Sequence, residues 1–128
     1  MPVTYVIDKE RRLVISTASD HVTFEEFKAH QDRLLSDPNF ISDFNQLLDG
    51  TRVTKLDLST EEIRSMTSRR VFATQSKRAF VASEPAHYGV ARMAEVYHET
   101  AKSASQIRTF KDLPSALEWL GLEKTFRK

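Results

Sequence analysis

The sequence has no cysteine, only three glycines and four prolines in 128 residues, and 19 basic residues set against 18 acidic ones. The missing cysteine excludes disulfide scaffolds, thiolate zinc sites, iron–sulfur clusters and a cysteine nucleophile. Glycine occurs at positions 50, 89 and 121, so there is no glycine-rich loop to cradle a phosphate. Nor does a Gly-x-Ser-x-Gly elbow surround Ser59, Ser65, Ser68, Ser76 or Ser83. A net charge of +1 gives no broad basic footprint, and nucleic acid is not an expected partner. No apolar run approaches the ~20 residues that span a bilayer. Met1 to Lys9 lacks the basic start and long apolar stretch of a signal peptide, so the expected location is the cytoplasm.

What remains is 40% hydrophobic and 29% charged, the make-up of one globular domain. A chain of this length buries enough surface to need neither disulfide nor metal. The expected domain is 1–122, with a frayed tail over 123–128. Each proline marks an element boundary: Pro2 before a strand, Pro38 after a helix, Pro85 and Pro114 in first turns.

Val3, Tyr5 and Ile7 alternate with polar residues, and Leu13 to Ala18 is rich in β-branched residues, which together read as a hairpin. Thr23 with Glu26 forms a capping-box pattern, stapled by Val22 and Phe27. It opens a helix whose inward stripe is Phe24, Phe27, Gln31, Leu34 and Leu35. Phe44, Leu47 and Leu48 form a short strand ending at Asp49-Gly50. Ser59 with Glu62 repeats the capping box, between Leu58 and Ile63. Lys77 to Ser83 contains the apolar run Ala79 to Ala82, as expected of a strand covered on both faces. Ser83 opens a third helix with the stripe Ala86, Val90, Met93, Ala94, Tyr97 and Ala101. Ile107 to Phe110 is a last strand, and Asp112 opens a helix that Gly121 ends. The order is ββαβαβαβα, an α/β domain with a mixed sheet, its parallel strands joined by right-handed crossovers and the first hairpin supplying an antiparallel edge.

No set of residues completes a catalytic or metal centre. His87 and His98 share a helix face but stand roughly 16 Å apart by the helical rise, too far to share an ion. His98 and Glu95 would still need further ligands. His21 and His30 fall near the start and on a flank of the first helix, where surface roles are the simpler reading. Asp49 reads as a turn residue and Asp57 as a helix-dipole partner rather than a carboxylate pair. The basic residues Arg64, Arg69, Arg70, Lys77, Arg78 and Arg92 raise an anionic-headgroup hypothesis if some of them gather at one end of the sheet. The alternative is that arginines near a helix C-terminus meet its carbonyls. In the third helix, small residues and a flexible methionine either allow close approach to the sheet or leave room for an apolar ligand. The candidate ligand-binding residues are Phe72, Tyr88, Arg92, Met93 and Tyr97.

Val71-Phe72, Arg78-Ala79-Phe80-Val81, Tyr88 to Met93, and Ala116 to Gly121 resemble the SpoIIAA-like family of small bacterial proteins, grouped with STAS domains and the lipid-carrying SEC14 fold. The similarity runs from about Val3 to Leu122. It implies a binding or regulatory role. In the anti-sigma-factor antagonists of the wider STAS class a serine before the second helix is phosphorylated, and the matching place here is Ser59. The class pattern is not kept, because Leu58 separates Asp57 from Ser59 and no glycine follows. Ser59 is thus either a helix cap or a phospho-switch.

The expected function is a non-catalytic regulatory or ligand-binding module, with neither cofactor nor metal. Its partner would be an apolar or amphipathic small molecule, met in solution or at a membrane surface. A protein partner met through the second helix, or a second copy of the chain, is the alternative.

Overall fold

A computed structural model describes residues 2–73, 75–100 and 106–122, with residue 100 by its backbone alone. The tail over 123–128 and Ala101 of the expected helix stripe lie outside the described residues. The elements follow the expected order: β1 (Val3–Asp8), β2 (Leu13–Thr23), α1 (Phe24–Ser36), β3 (Asn45–Asp57), α2 (Thr60–Ser68), β4 (Lys77–Val81), α3 (Pro85–Thr100), β5 (Gln106–Phe110) and α4 (Leu113–Trp119). The five strands lie in sequence order across one sheet. β1 runs antiparallel to β2, and every later pairing is parallel. With right-handed crossovers and strands added always on the same side, α1, α2 and α3 must share one face. α4, which follows the last strand, covers the other.

Strand alternation sorts the side chains into two layers. Leu13, Ile15, Leu47, Ala79 and Val81 pack with Ala116, Leu117 and Leu120 under α4. On the three-helix side, Val14 packs with Leu34, Phe44, Val71 and Phe72. A third cluster, Ala18, Val22 and Val53 with Phe27, Leu48 and Leu56, sits where β2 and β3 run on beyond β4. Val22 and Phe27 meet there as the expected staple of α1.

The helix ends are set by local chemistry. Ser59 accepts from the Glu62 amide at 3.1 Å while its own amide donates to Glu62 Oε1 at 2.9 Å, completing the capping box. Asp112 caps α4 by accepting from the Ser115 amide. At its other end Gly121 takes φ +77° and the Leu122 amide reaches back to Leu117, a Schellman closure. Thr23 occupies the N-cap position of α1 but makes no side-chain cap bond, because it is also the last residue of β2, paired with Asp57.

Three expectations need correction. β3 does not stop at Asp49-Gly50 but continues to Asp57, pairing with an extension of β2 through two register shifts. Gly50 belongs to the strand because a Cβ there would lie 2.9 Å from the Val81 carbonyl oxygen. α1 turns His30, Gln31 and Leu34 inward and leaves Leu35 half exposed at 53%. α3 faces inward with His87, Val90, Ala91, Ala94 and His98, leaving Ala86 and Met93 exposed. The helix is rotated so that His98 meets the Thr67 carbonyl inside, while cations from neighbouring elements hold its tyrosines at the flanks. The Arg64 guanidinium sits 4.9 Å over the Tyr97 ring and Lys111 Nζ 5.2 Å over Tyr88.

Candidate functional site

Between the sheet and α1–α3 lies a cavity of about 100 Å³. Its wall is largely apolar, with Phe27, Leu48, Val53, Phe72, Phe80 and Ala94 contributed by every layer around it. Polar side chains interrupt that wall at His30, Gln31, Gln46, Thr67, Arg78 and His87. The alternation of the strands puts them there. In β4, Ala79 and Val81 turn to the α4 layer, so Arg78 and Phe80 must turn to the three-helix side. Gln46 is paired in register with Arg78 and turns the same way.

Four of the buried groups form a continuous file. Arg78 Nε donates to Gln46 Oε1 at 3.0 Å, Gln46 Nε2 donates to Ser16 Oγ at 3.1 Å, and Ser16 Oγ lies 2.8 Å from His30 Nε2. Arginine offers no acceptor, so Gln46 must present its oxygen to Arg78 and its amide hydrogens to Ser16. Ser16 Oγ keeps a second lone pair and its own hydrogen, so it can accept from His30 Nε2 or donate to it according to the imidazole tautomer. Burial, followed by the charges of Arg33 and Arg78, lowers the His30 pKa to about 4, so the imidazole is neutral at neutral pH. Tyr5 meets the same imidazole edge to face at 5.5 Å.

Arg78 is the unusual member. It is 7% exposed, and its pKa is lowered to about 10 by burial, so it remains a cation at neutral pH. No carboxylate pairs with it among the described residues, and its two terminal amines have no hydrogen-bond partner there. What it has instead is the ring of Phe72, 4.5 Å from the guanidinium carbon, and that of Phe80 at 5.4 Å. His87 Nδ1, also at the cavity wall, is buried without a partner.

Of the residues expected to bind ligand, Phe72 lines the cavity, while Tyr88, Arg92, Met93 and Tyr97 do not. Arg92 pairs with Glu95 on the outside of α3, and Met93 is exposed. The basic residues do not gather. Arg69 binds Gln31 Oε1 and Asp32, Lys77 lies over Trp119, Arg64 over Tyr97, and Arg78 alone turns inward. The expectation that His30 is a surface residue is corrected as well, since it is 4% exposed and held by Ser16. His98 is buried with Nδ1 3.0 Å from the Thr67 carbonyl oxygen, whereas Glu95 accepts from the amide and hydroxyl of Thr109, so the two share no site. Asp49 is buried and accepts from the Thr51 amide and hydroxyl, whereas Asp57 is exposed beside His21. Eight residues of strand separate the two carboxylates by roughly 25 Å. Among the described residues no group of three His, Asp or Glu could hold a metal ion, and no helix is long and apolar enough to cross a membrane. The file from Arg78 to His30 escaped the sequence reading. Its one signal is an arginine at the inward parity of β4, directly before the apolar run Ala79 to Ala82.

A parallel, sequentially ordered sheet with an antiparallel first strand, three helices on one face and one on the other is also found among solved structures. A protein of the DUF3478 family from Shewanella loihica PV-4, described as uncharacterized and as having a SpoIIAA-like fold, superposes with a TM-score of 0.58 over 92% of this chain and 91% of its own, at 16% identity. This chain has a SpoIIAA-like fold. At that identity the likeness concerns the fold alone. No protein-family model matches the sequence, and no curated protein does. The chemistry of this SpoIIAA-like domain therefore has to be read from its own side chains, and its cavity lies in the layer between sheet and α1–α3.

Proposed function

We propose that this SpoIIAA-like protein acts by binding rather than by catalysis, and that a small amphipathic molecule occupies the cavity between the sheet and α1–α3. The supporting observation is an apolar cavity whose wall carries polar atoms with no protein partner, the terminal amines of Arg78 and Nδ1 of His87. Desolvating such groups without compensation is costly, and a ligand with an apolar body and a polar end offsets that cost. Ser16 and His30 have the spacing of a nucleophile and its base, but Ser16 is fully buried and absent from the cavity wall. Its hydroxyl holds the wall together instead.

Ala94, 6% exposed and at the cavity wall, provides the test. Benzene fits cavities of about this size, ~150 Å³ in the best-studied engineered example. Benzene should perturb the NMR signals of cavity-lining methyl groups in the parent, and Ala94→Leu should abolish that response while changing stability by less than about 1 kcal/mol. A parent that takes up no benzene, together with an Ala94→Leu protein destabilised by about 1–3 kcal/mol through overpacking, would show a packed interior and no ligand site.

A further inference from the structure

We infer that the occupant of this cavity is a compact monocarboxylate whose carboxylate pairs with the guanidinium of Arg78, an inference that rests on the binding reading above. Among the described residues Arg78 is the single Arg or Lys that lines the cavity, and none of the described Asp or Glu residues lines it. Among the described residues the wall therefore presents one formal cation, whose Nε is committed to Gln46 and whose terminal amines meet no described partner. A neutral ligand would satisfy hydrogen bonds and leave the desolvated charge uncompensated. A phosphate dianion would bring more negative charge than one guanidinium balances. A carboxylate matches both the charge and the planar fork of donors.

The side chains around Arg78 favour that pairing. Gln46 fixes Nε, and through Ser16 and His30 the orientation of Gln46 is itself fixed, so the guanidinium does not have to reorganise when the anion arrives. Phe72 and Phe80 offer the guanidinium their ring faces rather than hydrogen-bond acceptors, so neither competes for its terminal N–H groups. Gln31, the other amide at the wall, has its oxygen occupied by Arg69 and does not compete as an acceptor for Arg78. A cavity of about 100 Å³ limits the apolar body to a short chain or a single ring.

Calorimetric titration of the full chain near neutral pH with hexanoate, hexanamide and hexyl phosphate tests the inference. Hexanoate should bind about tenfold or more tighter than the other two. Arg78→Met should remove about tenfold or more of the hexanoate affinity and lower that for hexanamide by a smaller factor, because only hydrogen bonds are lost with the amide. If Arg78→Met does not fold, the ranking of the three ligands in the parent decides alone. Equal affinity for hexanoate and hexanamide, hexyl phosphate as the tightest ligand, or full hexanoate affinity in Arg78→Met overturns the carboxylate assignment and leaves the binding reading standing. If none of the three binds, the assignment falls. Benzene uptake by the parent then tells whether the cavity reading falls with it.

Discussion

Arginine can only donate hydrogen bonds, and in the buried file Arg78–Gln46–Ser16–His30 that restriction orients the Gln46 amide, its oxygen to Arg78 and its nitrogen to Ser16. What disfavours a protonated His30 is burial, with the Arg33 and Arg78 cations adding to it, since the imidazolium charge would sit in the interior. The electrostatic consequence has a definite sign. A free histidine titrates near 6.5 and folded His30 near 4, so between those values the unfolded chain binds a proton that the folded chain refuses. This contribution to stability is full above the unfolded value and is lost as the pH falls through the window from about 6.5 to about 4. Chemical denaturation of the parent should show roughly 2–3 kcal/mol of stability lost across that window on this account. His30→Gln, which cannot titrate, should lose less by about that amount over the same range.

Among the elements, α2 and β3 depend most visibly on single positions. The capping box of α2 is complete, so Ser59→Ala should cost about 1 kcal/mol in a denaturant titration, while Ser59→Asp should retain most of the stability because aspartate also caps. A Ser59→Ala protein as stable as the parent would remove the capping role. β3 passes β4 so closely at Gly50 that an added methyl meets a backbone carbonyl, an atom that cannot step aside. Gly50→Ala should therefore destabilise by about 1–3 kcal/mol. Gly89, exposed in α3 with nothing near its missing Cβ, is the control, and Gly89→Ala should stabilise by up to about 1 kcal/mol. Equal effects at the two glycines would show that close approach is not what Gly50 provides.

For the molecule as a whole, element order, strand direction and the antiparallel edge were legible from hydrophobic period and punctuation, because each crossover helix carries its own start signal and its own stripe. The cavity chemistry was not. In β4 both faces are covered, so Ala79 to Ala82 reads as one apolar run and hides the alternation that turns Arg78 inward. The partner that explains Arg78 is Gln46, thirty-two residues earlier, visible only once β3 and β4 are in register. The rotation of α3 was equally hidden, since His98 is drawn in by the Thr67 carbonyl, a backbone atom that no periodicity reports. His30 was placed outside for the same reason, its partner Ser16 lying on a different element.

The division of each central strand between two layers bears on how this domain changes over evolutionary time. Leu13, Ile15, Leu47 and Ala79 pack under α4, while Gln46, Arg78 and Phe80 line the cavity on the opposite face, with Ser16 bonded behind Gln46. Adjacent codons thus fall under separate selective pressures. Substitutions can change the polar lining of one layer while the opposite layer keeps the architecture. A shared fold at 16% identity is the outcome such a partition permits.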